Sequence, residues 1–128
     1  MKRGIVLFAH GARDPEWALP MRRLAALVAA KDAGASVEIA YLEHLPPPLE
    51  EAVDKLRKAG VSDVTVVPVF IAQGGHLKQD LPRIIEAIRS ADPKLVIRLA
   101  PPVGEIAAVL EAMAAYASAA SHQAGSVA

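Results

Sequence analysis

Gly4 to Asp14 reads GIVLFAHGARD, an unbroken apolar run that gives way at His10 to a short polar stretch. The run is rich in β-branched and aromatic side chains and shows no alternation, as expected of a central strand of a parallel sheet covered on both faces. The same pattern returns at Val64 to His76, VTVVPVFIAQGGH, again apolar and then polar with a histidine. Pro68 cannot donate to a sheet ladder, so regular pairing is expected to stop at about that point.

Two further runs, Ser36–Leu42 (SVEIAYL) and Leu95–Leu99 (LVIRL), carry one charge each, Glu38 and Arg98, and read as edge or near-edge strands. Stretches of helical period lie between and after them. Met21, Leu24, Ala25 and Val28 make one stripe, with Pro20 in the first turn. Leu49, Ala52, Val53 and Leu56 make a second, opened by Pro46-Pro47-Pro48 and closed by Gly60. Leu81, Ile84, Ile85 and Ile88 make a third, with Pro82 expected in its first turn. Ile106, Val109, Leu110 and Met113 make a fourth, after Pro101-Pro102.

Strand and helix alternate four times, which predicts an α/β fold: one doubly wound, four-stranded parallel sheet in the order 2-1-3-4 with helices on both faces. The chain has 128 residues, 53% of them apolar, enough for one core and too few for two. The domain is expected over residues 1–116. Residues 117–128 (ASAASHQAGSVA) lack an apolar period and read as a flexible C-terminal tail.

Composition removes whole classes of function. Fourteen basic and fourteen acidic residues cancel, so no basic footprint for nucleic acid exists. The absence of cysteine excludes disulfides and thiolate metal sites, leaving imidazole and carboxylate as metal ligands. The first apolar run is too short for a signal-peptide core or a membrane span, and a soluble cytoplasmic protein is expected.

In an open parallel sheet, ligands bind outside the carboxyl ends of the strands. Strand one ends in His10, strand two in Glu43 and His44, and strand three in Gly74-Gly75-His76, whereas strand four ends in Ala100-Pro101-Pro102 and offers nothing ionisable. Three of the chain's four histidines therefore fall at one rim. Gly11 after His10 would let backbone approach a ligand closely, and Gly74-Gly75 would present His76 at the same edge. Alternation along the strand would point His44 away from Glu43. His122, in the tail, has no expected role. Arg13, Arg22, Arg23 and Lys78 bring positive charge near this rim. Arg13 is the best candidate for an anion clamp, because a guanidinium fork fits a carboxylate in bidentate fashion.

Taken together, HGARDP (His10–Pro15), YLEHLPPPLEEAV (Tyr41–Val53) and VPVFIAQGGHLKQDLP (Val67–Pro82) resemble the small CbiX/SirB-type sirohydrochlorin chelatases of the class II tetrapyrrole chelatase family. Three motifs in the family's order cover most of the chain. Ala12, where serine is common, and His44, where an apolar residue is usual, depart from the pattern.

The resemblance implies insertion of Co²⁺, or in relatives Fe²⁺ or Ni²⁺, into sirohydrochlorin, with metal held at His10, His76 and Glu43, which are also the catalytic residues. The divalent metal is then a substrate, and no organic cofactor is expected. Arg13, Gly74, Gly75 and Lys78 are the candidates for holding the carboxylate-fringed macrocycle. Larger class II chelatases carry two similar lobes around one macrocycle, so the resemblance also implies a homodimer with rims facing across a shared cleft. No nucleic acid or membrane partner is expected. A metal chaperone or sensor without turnover needs the same ligands and stays open as an alternative. A histidine phosphatase would want an arginine directly before its histidine, where this chain has Ala9.

Overall fold

In the computed structural model, which describes residues 2–123, four parallel strands form one sheet in the order β2-β1-β3-β4. The strands are β1 (Arg3–Ala9), β2 (Ala35–Tyr41), β3 (Asp63–Pro68) and β4 (Val96–Leu99). The charge-bearing runs do take the edges, and β3 does stop at Pro68. Four helices follow their strands: α1 (Ala18–Lys31), α2 (Leu49–Lys58), α3 (Gly75–Ala91) and α4 (Ala107–Ser121).

The pleat sorts the core into two layers. Val6 and Phe8 of β1, with Val64 and Val66 of β3, pack beneath Leu49, Val53 and Leu56 of α2 and Leu77, Leu81 and Ile85 of α3. On the opposite face Leu7, Ala9 and Tyr41 meet Ala18 and Met21 of α1. Each large side chain fully buried this way contributes about 1.5–3 kcal/mol relative to exposure. Gly60, at φ +89°, ends α2 in the left-handed conformation that glycine adopts freely.

Three expectations need correction. First, α3 begins at Gly75, so Pro82 lies inside the helix and not in its first turn. Its ring removes one backbone donor, and the buried Leu77, Leu81 and Ile85 stripe holds the helix across that gap. Second, α4 continues through Ser121, so residues 117–121 are helical and not tail. The run is alanine-rich, and alanine has the highest intrinsic helix propensity even without an apolar period. Residues 124–128 of the expected tail lie outside the described residues.

Third, the stripe of α4 does not face the sheet. No residue of α4 is buried, none belongs to either core cluster, and the helix packs chiefly on the 3-10 turn Val103–Glu105 that precedes it. Thr65 and Val67, on the α1 side of β3, are consequently only half-buried, so β3 is covered well on one face rather than on two. Among the described residues no helix is long and apolar enough to cross a membrane.

Candidate functional site at the carboxyl rim

The backbone ladder between β1 and β2 extends beyond the strands into the rim. The Leu42 N–H donates to the Ala9 carbonyl at 2.9 Å, and the Glu43 N–H to the His10 carbonyl at 3.1 Å. Gly11 permits this approach. It sits at φ +87°, and a Cβ there would lie 2.0 Å from the Glu43 carbonyl oxygen. The glycine is thus required to join two rim segments to each other, a different reason from the ligand approach expected of it.

Past Tyr41 the chain turns and strand alternation ends. His44 takes φ 70°, a left-handed conformation uncommon outside glycine. Its Nε2 lies 3.7 Å from Glu43 Oε1, so the two side chains share a side. The expectation that His44 points away fails because the pleat that would enforce it has already stopped.

On the neighbouring strand end, the exposed imidazole of His10 lies over the Phe70 ring, with centroids 4.4 Å apart and planes inclined at 38°. Beside it is a cavity of about 290 Å³ lined by His10, Gly11, Trp17, Met21, Tyr41 and Val69. Asp14 shapes its outer wall: its carboxylate accepts from the Glu16 N–H at 2.9 Å and caps the 3-10 turn Pro15–Trp17. That turn brings the Trp17 ring, 66% exposed, to the cavity mouth. Burial pushes the Tyr41 hydroxyl pKa up, with Arg22 nearby drawing it partly back.

His76 occupies the first turn of α3, and its side chain is 95% exposed. Its Nε2 lies 2.9 Å from Asp80 Oδ2, one helical turn on. Nothing lies within 4 Å of where a Cβ would stand on Gly74 or Gly75, so these glycines leave the start of α3 open rather than fitting a crowded turn.

His10, Glu43 and His76 therefore all stand at the carboxyl rim, but their side chains do not converge. Among the described residues no group of three or more histidines and carboxylates is close enough to hold a metal ion. Glu43 is drawn to His44, and His76 to Asp80.

The cations at the two ends of the sheet differ in their pairing. At the amino ends of the strands, Arg3 pairs with Asp32 at 2.7 Å and Arg98 with Asp63 at 2.6 Å. Arg13, Arg22, Arg23 and Lys78 enter no ion pair among the described residues.

Residues 4–120 match the CbiX family model. The chain belongs to the CbiX family. A putative cobalamin biosynthesis CbiX protein from Marinobacter aquaeolei superposes with a TM-score of 0.80 at 33% identity, over 92% of this chain and 96% of that one. The sirohydrochlorin chelatase SirB of Bacillus subtilis subspecies spizizenii, in complex with cobalt, gives 0.79 at 25% identity, over 93% of this chain and 51% of that one. A sirohydrochlorin cobaltochelatase of Methanopyrus kandleri is 36% identical over 81 residues, 63% of this chain. The match spans 57% of that relative's length. This CbiX chain thus corresponds to one single-sheet unit, about half of a SirB chain.

The sequence reading missed Phe70, Trp17 and Asp80. Asp80 was legible, since an acid four residues after a histidine at a helix start shares its face. Phe70 was hidden inside an apolar run, where its contact with His10 depends on the loop after β3.

Proposed function

We propose that this CbiX protein is a chelatase that inserts a divalent metal, Co²⁺ in the first instance and Fe²⁺ or Ni²⁺ as alternatives, into sirohydrochlorin. The observation that carries this reading is the exposed His10 imidazole beside an apolar cavity at the carboxyl rim, in a chain whose relatives bear that activity in their names. Borderline nitrogen and oxygen donors suit these metals, and no thiolate is present to retain them.

In this reading His10 and His76 present the metal, and Glu43 completes the site or accepts a pyrrole proton. The three need only pass a metal on, so a closed cage is not required of the resting protein. The reaction exchanges one M²⁺ for two pyrrole protons, is redox-neutral, and calls for no organic cofactor. The apolar wall of Trp17, Met21 and Tyr41 suits a macrocycle face, while Arg13, Lys78 and the open Gly74-Gly75 segment suit its carboxylates.

The protein works as a homodimer in the cytoplasm and serves cobalamin-type or siroheme-type cofactor formation. A single-sheet chain spanning about half of SirB, with an uncovered apolar helix, supports the dimer. The test is the absorption spectrum of sirohydrochlorin mixed with Co²⁺. Conversion should be faster with protein than with Co²⁺ alone, and equal rates would leave only a metal-binding module.

A further inference from the structure

Three aromatic rings run from the core to the rim. Phe8 is fully buried and meets Phe70 edge to face, with centroids 5.9 Å apart and planes at 66°. Phe70 is itself only 4% exposed and is also in contact with the His10 imidazole. Its backbone is held as firmly as its ring. The Gly104 N–H donates to the Phe70 carbonyl at 2.9 Å, and a Cβ on Gly104 would fall 1.7 Å from the Ile71 carbonyl oxygen. Only glycine allows that approach, so the turn after β4 clamps the segment that carries Phe70.

We propose that Phe70 is the positioning residue for His10, a rigid platform that fixes the plane of the imidazole and leaves its nitrogen edge open to the incoming metal. The inference rests on the reading that His10 meets the metal. A histidine at an exposed strand end would otherwise sample several rotamers, and a ligand that must first be ordered captures metal less well. A face contact restricts the ring without occupying either nitrogen, since both nitrogens lie on the ring's edge. A hydrogen bond from a neighbouring side chain would fix the ring at the cost of one donor atom. An aliphatic residue would fill the same volume but define no plane.

The wild-type protein gives the first test. In its proton NMR spectrum the carbon-bound ring protons of His10 should be displaced upfield from their positions in free histidine by the Phe70 ring current, and Phe70→Leu should abolish the displacement. In steady-state insertion assays Phe70→Leu should raise the KM for Co²⁺ roughly 10-fold, the scale typical of groups that orient a metal ligand. The KM for sirohydrochlorin should stay unchanged, which a general loss of folding would not produce. Phe70→Tyr, which keeps the ring, should restore the Co²⁺ KM, and Phe70→Leu should add nothing in a His10→Ala background.

Undisplaced His10 protons in the wild type would overturn the proposal even if Phe70→Leu failed to fold. So would a folded Phe70→Leu protein with an unaltered KM for Co²⁺ where His10→Ala is inactive. Full activity of His10→Ala would instead remove the reading beneath it.

Discussion

Gly11 and Glu43 touch through their backbones so closely that a single methyl group on Gly11 would stand 2.0 Å from the Glu43 carbonyl oxygen. The ends of β1 and β2 are joined there, and that contact sets where His10 and Glu43 lie relative to each other. Gly11→Ala should therefore combine the cost of a left-handed alanine with a backbone collision, lowering stability by about 2 kcal/mol or more. Insertion should fall further than stability does, because the two rim segments must separate. Urea unfolding alongside the insertion rate at a temperature where the variant stays folded checks both parts.

Because His10, Glu43 and His76 stand apart and each takes part in handing on the metal in the proposed reaction, loss of any one should interrupt insertion. His10→Ala or His76→Ala alone should then cost nearly as much as the double substitution, since effects of residues that act together are not additive. Glu43→Gln keeps a polar group of the same shape but cannot take a proton. It should retain Co²⁺ binding by calorimetry and slow insertion roughly 100-fold, the lower range for loss of a general base. Single histidine variants that kept wild-type insertion rates would discard this site, and His44, beside Glu43, would be the next residue to replace.

Asp80 should set which His76 nitrogen is free. Asp80 Oδ2 lies 2.9 Å from Nε2, so the carboxylate is placed to favour a proton on that nitrogen and leave Nδ1 for metal. Nitrogen-15 NMR of the metal-free protein should show that tautomer, and Asp80→Ala should lose the preference and reduce insertion roughly 10- to 100-fold. An Nδ1-protonated ring in the wild type would contradict it.

The sheet was legible because its signals are local. GIVLFA and VTVV announce inner strands, Glu38 and Arg98 mark the edges, and crossover handedness leaves few orders for four parallel strands. The rim was legible at the level of which residues reach it, because the carboxyl ends of a parallel sheet share one edge. Side-chain directions there were not, since they depend on dihedral angles after the strands end. His44 at φ 70° is the clearest case: period-two reasoning needs a pleat, and none survives past Tyr41. Phe70 under His10 was illegible for a related reason, as its position is set by Gly104, more than thirty residues away. The start of α3 was misplaced because Gly74-Gly75 reads as a turn while the helix begins inside it.

The Arg3–Asp32 pair at the opposite end of the sheet should add a small, acid-sensitive increment to stability. The Arg3 guanidinium donates to Asp32 through two hydrogen bonds of 2.9 and 2.7 Å and holds its carboxyl below the ordinary 3.8. A depressed folded-state pKa means stability that is present above 3.8 and is lost as pH falls through the lowered value. Asp32→Asn should accordingly lower the melting temperature at pH 7 and make no difference once the wild-type carboxyl is protonated. Arg3 is exposed and Asp32 only half-buried, so the shift at pH 7 should be small and should shrink further at high salt. Melting curves of the two proteins across the acid range, with and without added salt, would reveal a different dependence if the pair were inert.

The apolar face of α4 should be the contact that makes the dimer. Leu110 and Met113 are each 45% exposed and Tyr116 76%, in a helix with no buried residue, while Val96 and one side of β3 are left partly uncovered. Leu110 and Met113 lie three apart on the helix and share one stripe, and the exposed Ile106 stands at the N-cap just before it. Burying these three side chains would contribute about 1.5–3 kcal/mol each before the costs of association. A two-fold interface uses every residue twice, so one substitution removes two contacts. Leu110→Asp with Met113→Asp should convert a particle of twice the chain mass, by light scattering, into one of a single chain mass, with its far-ultraviolet circular dichroism retained because no core residue is touched. Insertion should fall with it, because a single rim would then have to hold the macrocycle alone. A wild-type protein that runs as a monomer at micromolar concentration would leave α4 without this role, and an active monomeric variant would show that one rim suffices.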